Sequence, residues 1–236
     1  MPAHIGIVAG SAEGAALCYR TICTEGAAVL GTHAHPEVSM HTHSLADYMA
    51  CVHRGDWRGV GELMLASGNK LAAIGAEFLI CPDNTFHQGL PYIEARSLLP
   101  WLHIADVVVA EAAARGFRRL GLLGTRWLME SGVYPDRLKA AGLDYVLPDN
   151  DERTAISRII MDELVCGVFT PEAIAYHQRV VARLRNAGCD SVVLGCTEIP
   201  LIISDANSPL PTLDSTRLLA RAALRKACAE SQVLPA

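Results

Sequence analysis

Two stretches of the chain carry the same pattern of apolar and polar positions, about 113 residues apart. LAAIGAEFLICPDNT (71–85) aligns without a gap on LRNAGCDSVVLGCTE (184–198). Each begins as the end of a helix, stops at a glycine and continues into a short apolar run. Just after that run, Asp83 in the first copy falls on Cys196 in the second. The repeat predicts two copies of one strand-and-turn unit, with an acid and a thiol in equivalent positions.

The opening strand of each half belongs to the same repeat. IGIVA (5–9) runs into Gly10 and Ser11, and LGLLG (120–124) runs into Thr125 at an offset of about 115 residues. Both runs are short, apolar and followed by small residues, a pattern typical of a buried strand that leads into a helix. Each half therefore contains an opening strand and a later strand.

Helical periodicity separates these strands. Residues 56–74 place apolar side chains at helical spacing, and residues 169–187 do likewise, with Thr170 as N-cap and Pro171 at the first helical position. Strands that alternate with helices of this length indicate βαβ units and parallel sheets. We predict an α/β fold of two pseudo-symmetric domains, each a mainly parallel sheet flanked by helices.

The domain boundaries are expected where turn-forming residues interrupt the pattern. The chain should cross near Leu98–Pro100 and return near Ser208–Pro211, and the last helix, Ser215 to Ala229, should pack on the first domain. This predicts a first α/β domain of residues 1–98 plus 211–236 and a second of residues 99–210.

In open parallel sheets, ligands bind beyond the carboxyl ends of the strands, where helix N-termini present free N–H groups. If the two halves face each other, their strand ends line one cleft, which is where we expect the active site. Small and polar residues at these ends are candidates for binding a substrate carboxylate: Gly10, Ser11, Asn84, Thr85, Thr125 and Thr197, together with Glu198. Helix capping is the alternative role for the hydroxyl and amide side chains. Glu198 either accepts a substrate ammonium or makes a capping bond.

Cys196 is the strongest candidate for a chemical role. It follows a buried strand and precedes an expected helix start, and a thiol at a helix N-terminus gains thiolate character. The alternative is a buried structural cysteine. The repeat and the flanking Thr197 and Glu198 favour catalysis.

Asp83, in CPDNTFH, occupies the position equivalent to Cys196. A turn residue or helix N-cap is its ordinary role, and the duplication favours a catalytic one. Cys81, two residues earlier, matches a core leucine in the other copy and is expected to pack in the interior. His87 could orient Asp83 or face solvent as a surface helix residue.

Four histidines, His33, His35, His41 and His43, have a spacing that suggests a metal site. Pro36 interrupts the strand pattern and no acid or cysteine joins them, so polar loop or interface residues are the favoured interpretation. The loop GIVAGSAEG is neither a Walker A motif nor GxGxxG, and none of the three lysines sits at a predicted strand end. We therefore expect neither a metal nor a cofactor.

Composition narrows the choice of partners. The chain is 51% hydrophobic with a mean hydropathy of +0.24, a net charge of −5 and a pI near 6.0. It has no basic run, no signal-peptide pattern and no apolar stretch of transmembrane length, so we expect a cytoplasmic protein that binds neither nucleic acid nor membrane. A small molecule is the expected partner, and a homodimer the expected assembly.

Several motifs in order resemble the aspartate/glutamate racemase family, which includes hydantoin racemases, maleate isomerases and arylmalonate decarboxylases. They cover nearly the whole chain: IGIVAGS, GDWRGV, DNTFH, GLLGTRWLMESGVY, DEL, VLGCTEIPLI and PTLDSTRLL. The resemblance implies a cofactor-independent isomerase with two pseudo-symmetric α/β domains. It also implies that two cysteines flank the substrate's α-carbon. Carried onto this chain, the second cysteine is Cys196, whereas Asp83 stands where the first would be.

Three hypotheses follow for the function. The first is racemisation or epimerisation of an amino acid, with Asp83 and Cys196 removing and returning the α-proton. The second is a single-cysteine decarboxylase or cis-trans isomerase acting on a dicarboxylate. The third is a non-catalytic binder of a small molecule. The chain lacks a basic residue after DEL, at Val165 and Cys166, so the substrate side chain is left open.

Overall fold

The structure, a computed structural model, describes residues 1–229. The first part of the chain contains β1 (Ile5–Ala9), α1 (Ala12–Leu30), β2 (Val38–Thr42), α2 (Leu45–His53), α3 (Trp57–Ala73), β3 (Phe78–Ile80), 3₁₀ helices at Asn84–Tyr92 and Glu94–Arg96, and β4 (Trp101–Leu102). The second part contains α4 (Ile104–Ala114), β5 (Arg119–Leu123), α5 (Arg126–Met129), α6 (Pro135–Ala140), β6 (Asp144–Val146), α7 (Asn150–Asp162), a 3₁₀ helix at Leu164–Cys166, α8 (Pro171–Asn186), β7 (Ser191–Leu194), a 3₁₀ helix at Ile199–Leu201 and β8 (Thr212–Asp214). Helix α9 (Ser215–Ala229) ends the described chain.

The strands form two four-stranded parallel sheets with the same internal order. The first sheet is ordered β2-β1-β3-β4 and the second β6-β5-β7-β8. The register repeats too, because Ile5 pairs with Phe78 in the first sheet and Leu120 with Ser191 in the second. The predicted fold class, parallel sheets flanked by helices, is confirmed.

Contacts divide the chain into two compact units. Unit 1 is Met1–Ile104 together with Thr216 and the described residues after it, and unit 2 is Ala105–Ser215. Both crossings lie a few residues later than the boundaries expected from the sequence. The reason is the fourth strand of each sheet: β4 pairs with β3 in unit 1, and β8 pairs with β7 in unit 2. Residues 230–236, which end the expected first domain, lie outside the described residues.

The central strands are buried on both faces, as parallel sheets require. All residues of β1, β3 and β7 are buried, which accounts for their mainly apolar character in the sequence. In unit 2 the core gathers residues from β7, α7 and α8, among them Val192, Ile156 and Val181. The sheets thus provide rigid frames whose ends present loops.

The two predicted long helices are confirmed as α3 and α8. The Asp56 side chain accepts the Gly59 N–H at 2.8 Å, and the Thr170 hydroxyl accepts the Ala173 N–H at 3.1 Å, so each helix has the N-cap that its sequence provides. Gly75 and Gly188, which follow α3 and α8, have φ values of 96° and 90°. This left-handed conformation strains other residues, which explains why both copies of the repeat carry glycine there.

Helix α9 is tied to the start of unit 1. The Arg221 guanidinium donates to both carboxylate oxygens of Glu25 on α1, and the Ala3 N–H donates to the Ala227 carbonyl at 2.9 Å. The hydrogen bonds from Arg221 hold the pKa of the Glu25 carboxyl below its usual range. Among residues 1–229, no helix is long and apolar enough to cross a membrane.

Candidate functional site

Asp83 lies three residues beyond the carboxyl end of β3, directly before the 3₁₀ helix that begins at Asn84. Its carboxylate accepts a hydrogen bond from the Ser11 N–H at 3.2 Å. It makes no capping hydrogen bond to the helix that it precedes. The carboxylate therefore reaches across to the end of β1, so the capping role that the sequence left open is not the one observed.

Gly10 occupies a position with no room for a side chain. A Cβ placed there would overlap the Asp83 carboxylate and the ring of Phe86. Ser11, which follows, is buried and caps α1 by accepting the Gly14 N–H at 3.3 Å. The end of β1 therefore packs against Asp83. Gly10 leaves room for the carboxylate, and the Ser11 N–H donates a hydrogen bond to it.

This close approach gives a prediction for stability. Gly10→Ala should lower the free energy of unfolding by about 1–3 kcal/mol, because the added methyl displaces the Asp83 carboxylate or the Phe86 ring. Gly132→Ala is the matched control, since its Cβ would meet only an Asp136 oxygen at 3.8 Å. Urea unfolding of both variants measures the difference. Equal stability of the two would contradict the close packing at Gly10.

The residues after Asp83 are largely enclosed. Asn84 and His87 are buried, and Thr85 is partly exposed. His87 is 1% exposed, so the solvent-facing alternative for this residue is wrong. Its Nε2 lies 2.9 Å from the Cys81 carbonyl, and its ring stands 4.3 Å from that of His103. His87 therefore supports the backbone that leads into Asp83.

Cys81 is fully buried, as expected for a packing residue. Burial and, secondarily, the charge of Asp83 raise the pKa of its thiol well above the usual range. Its Sγ lies 3.8 Å from the Asp83 carbonyl oxygen. Cys81 therefore stays a protonated thiol beside Asp83, which makes it a poor nucleophile or base.

Cys196 lies at the equivalent end of β7, in unit 2, and is 8% exposed. The preceding Gly195 donates its N–H to the Leu123 carbonyl at 2.8 Å, which binds it to the end of β5. A Cβ on Gly195 would lie 2.6 Å from that carbonyl oxygen. The ends of β5 and β7 therefore lie close together, and Cys196 lies just beyond the carboxyl end of β7.

Glu198 is the residue whose role the structure changes most. It is 2% exposed, and its Oε2 accepts hydrogen bonds from the Cys196 thiol at 3.0 Å and from the Thr197 hydroxyl at 2.7 Å. It makes no capping bond, so that alternative is wrong. Its Oε1 is buried and has no hydrogen-bond partner within the described residues. Glu198 can therefore take a proton from Cys196, and it has one oxygen left for a ligand.

The helix N-terminus that the sequence led us to expect at Cys196 is not observed. Only a three-residue 3₁₀ helix, Ile199–Leu201, follows. So short a helix has little dipole, and the effect acts within one turn. The thiol instead donates a hydrogen bond to the Glu198 carboxylate.

Thr125 and Thr197 complete the strand ends of unit 2. Thr125 caps α5 by accepting the Leu128 N–H at 3.2 Å, the same task that Ser11 performs for α1. Thr197 is 1% exposed and bonded to Glu198. Capping is thus observed for Ser11 and Thr125.

Sequence reasoning missed one support of this site. The Ser215 hydroxyl, buried at the start of α9, donates to the Leu194 carbonyl at 2.7 Å, two residues before Cys196. Tyr134, also buried, hydrogen-bonds Ser215, and burial raises its pKa. The motifs GVY and LDST contain these residues, but only the fold brings them together.

The four histidines do not form a cluster. His33 and His35 lie in the loop between α1 and β2, whereas His41 and His43 lie at the end of β2 with ring centroids 5.0 Å apart. Over residues 1–229, no group of three or more histidine, cysteine, aspartate or glutamate side chains could hold a metal ion.

Known proteins share this fold and parts of this sequence. A protein from Yersinia pestis assigned as an Asp/Glu racemase is 31% identical, with a TM-score of 0.85 over 95% of this chain and 99% of that one. An aspartate racemase homologue from Pyrococcus horikoshii OT3 is 26% identical, with a TM-score of 0.82 over 96% of this chain and 99% of that one.

A curated relative, the broad specificity amino-acid racemase RacX of Bacillus subtilis, is 23% identical over 155 residues. The match covers 64% of this chain and 65% of RacX, so the chain spans slightly less than two thirds of that relative's length. RacX is named as an amino-acid racemase, in agreement with the isomerase class expected from the sequence.

The family model for Asp/Glu/Hydantoin racemases matches residues 8–223, which is most of the chain. Apart from the first three residues of β1, this range includes every strand of both sheets. The chain belongs to the Asp/Glu/Hydantoin racemase family.

Proposed function

We propose that this protein is a cofactor-independent racemase or epimerase of an amino acid, in which Asp83 and Cys196 transfer the α-proton. One observation carries the proposal: the two side chains occupy equivalent positions, just beyond β3 and β7, in two sheets of identical strand order. Racemisation needs one group to remove a proton and another to return one, and a duplicated strand end provides two such groups.

In one direction, the Asp83 carboxylate removes the α-proton and the Cys196 thiol donates its proton to the opposite face of the carbanion. In the other direction, Cys196 must act as a thiolate and Asp83 as the acid. That state forms when the Cys196 proton moves to Glu198 Oε2, 3.0 Å away, and on to solvent, while Asp83 takes up a proton from solvent. The two protonation states interconvert as one coupled pair.

The substrate's charged groups also need partners. Backbone N–H groups and side chains at the strand ends are proposed to hold the α-carboxylate, on which negative charge develops: Gly10, Ser11, Asn84, Thr85, Thr125 and Thr197. The unpartnered Oε1 of Glu198 is proposed to accept the substrate ammonium.

The experiment that tests the proposal is α-proton exchange. The protein is incubated in deuterated water, without added cofactor, with single enantiomers of an amino-acid panel. Proton NMR should show loss of the α-proton signal, and chiral chromatography should show the opposite enantiomer. If no amino acid exchanges its α-proton, the proposed function is wrong.

Glu198→Gln is expected to slow turnover by about 10²-fold, since the neutral amide cannot take the Cys196 proton. The slowing should be strongest in the direction that starts from the Cys196 thiolate. Initial rates from each enantiomer measure it. Glu172→Gln, at an exposed first-turn position of α8, is the matched control and should retain wild-type rates. A Glu198→Gln variant with wild-type rates in both directions would exclude this role.

A second candidate function is favoured by one observation. At the two equivalent positions, unit 1 carries Asp83 and unit 2 carries the thiol of Cys196. A decarboxylase of a substituted malonate, or a cis-trans isomerase of a dicarboxylate, would use Cys196 alone. Release of carbon dioxide from malonates, or conversion of maleate, in the absence of amino-acid exchange would identify this function.

Several expectations stay predictions. We expect the protein to work without metal or cofactor, to form a homodimer and to reside in the cytoplasm. Sedimentation at micromolar concentration tests the assembly, and dialysis against a chelator before the exchange assay tests the metal.

A further inference from the structure

A fully buried histidine lies on α8, in the core of unit 2. Ala173 and Val181, one turn before and one turn after His177, lie on the same face of the helix and belong to the apolar core that also holds Cys196. Of the nine histidines in the chain, His177 is the only one within residues 105–215, which form unit 2. Histidine is the side chain whose ordinary pKa places its change of charge between pH 5 and 8, so unit 2 carries one such group.

The two ring nitrogens of His177 have different surroundings. Nδ1 lies 2.8 Å from the Ala173 carbonyl oxygen, to which it donates its hydrogen. In the neutral ring, Nε2 is therefore an acceptor. It is buried and has no hydrogen-bond partner within residues 1–229. A proton added to Nε2 would place a charged donor where the described residues offer it no acceptor.

The charged groups of the neighbouring segments are engaged elsewhere. Helix α7 packs on α8, and its Glu152 is paired with Arg183. Glu163, which follows α7, accepts a hydrogen bond from the Thr170 hydroxyl at 3.0 Å. Burial lowers the pKa of His177, and its own bond to the backbone and the charge of Glu163 oppose this effect less strongly. The neutral ring is therefore the stable form in the folded protein.

Strand β5 and α8 itself bring further titratable groups near this core. Strand β5 packs on α8, and its Arg119 pairs with Asp144 at 3.3 Å. On α8, the ring of Tyr176 stands edge to face with that of His177, with centroids 6.4 Å apart, and Arg179 lies over the Tyr176 ring. Of the charged groups on α7, β5 and α8 and in the segment after α7, Glu163 is the one that acts on the pKa of His177.

The equivalent position in unit 1 carries an apolar side chain. The repeat that aligns residues 71–85 with 184–198 pairs His177 with Met64 on α3, which is also fully buried. Helices α3 and α8 precede equivalent strands in two sheets of the same order, so a methionine fits a position of this kind. His177→Met therefore removes the titratable ring and replaces it with a side chain that the duplicated unit accommodates.

We infer that His177 is an acid-sensitive element of unit 2, whose protonation opens the packing of α8 on the core that holds Cys196. In the unfolded chain this imidazole takes up a proton near pH 6.5, whereas in the folded unit it stays neutral to lower pH. Because the unfolded chain binds the proton more readily, the stability that His177 contributes is fully present above about pH 6.5 and is lost as the pH falls below that value. The effect acts on the fold and does not depend on the proposed function.

Hydrogen–deuterium exchange of the whole chain at pH 7.5 and pH 5.5, followed by mass spectrometry, tests the inference. Protection factors, which correct for the pH dependence of the chemical exchange step, measure the opening equilibrium of α7, α8 and β7. In the wild type, the equilibrium constant for opening these elements should be about tenfold larger at pH 5.5 than at pH 7.5. In His177→Met, the protection factors should be the same at both pH values.

His53→Met, at an exposed position on α2, is the matched control and should keep the wild-type pH dependence. Wild-type protection of α8 that is equal at both pH values overturns the inference, and so does a His177→Met variant that keeps the tenfold change. Loss of the change in His53→Met would also overturn it, because the effect would then not belong to His177. Should His177→Met fail to fold, His177→Leu provides the same measurement.

Discussion

Replacing Cys196 by alanine is expected to abolish racemisation in both directions, with a loss of at least about 10³-fold in kcat. The thiol is the proton donor in one direction and, as thiolate, the base in the other, so its removal leaves one face of the substrate without a proton-transfer group. Chiral chromatography of each enantiomer after long incubation measures the loss. The fold should persist, since alanine fits where Cys196 packs against the unit 2 core.

Cys189→Ala is the matched control for this experiment. Cys189 precedes β7 as Cys196 follows it, it is also buried, and burial raises its pKa so that it stays a thiol. This variant should keep rates close to those of the wild type. Full α-proton exchange and turnover by Cys196→Ala would end the case for catalysis by this thiol.

Asp83→Asn is the second variant for which we expect a large effect. The amide has the shape of the carboxylate, and its oxygen can still accept the Ser11 N–H, so structure is preserved while the base is lost. Racemisation should fall by about 10²–10⁴-fold. One enantiomer should nevertheless exchange its α-proton with retention of configuration, because Cys196 can remove a proton and return a deuteron to the same face.

Asp56→Asn is the control for the competing structural role. Asp56 caps α3 in the same unit, and asparagine is an equally good N-cap, so this variant should keep full activity. If Asp83→Asn behaves like Asp56→Asn, Asp83 is a structural residue and the single-cysteine functions gain. Symmetric loss of exchange from both enantiomers would instead indicate that Asp83 binds substrate rather than moves a proton.

The repeat could be predicted from the sequence because all of its signals lie close together along the chain. Each copy places apolar residues, a stop glycine and a polar strand end within about fifteen residues, and each signal follows from backbone conformation and burial. The same holds for α3 and α8, whose caps lie three residues from the N–H groups that they accept. Fold class, the opening and later strands of each half, the two long helices and the equivalence of Asp83 with Cys196 therefore came from sequence.

Strands β4 and β8 could not be predicted from the sequence in this way. They have two and three residues, too few for a periodic pattern, and only pairing with β3 and β7 makes them strands. The crossings between units consequently lie later than composition suggested. Turn-forming residues mark where a chain can bend, whereas the sheet decides which strand it joins next.

For the side chains of the site, too, some properties follow from the sequence and others only from the tertiary structure. Sequence determined which residues stand at the strand ends, since a buried apolar run followed by Asp83 or Cys196 is a local pattern. Tertiary structure decided what those residues touch: the Asp83 carboxylate accepts an N–H 72 positions away, and the Ser215 hydroxyl donates to the Leu194 carbonyl, two residues before Cys196. Hydrogen bonds depend on distances of a few tenths of an ångström, and packing between distant segments sets those distances.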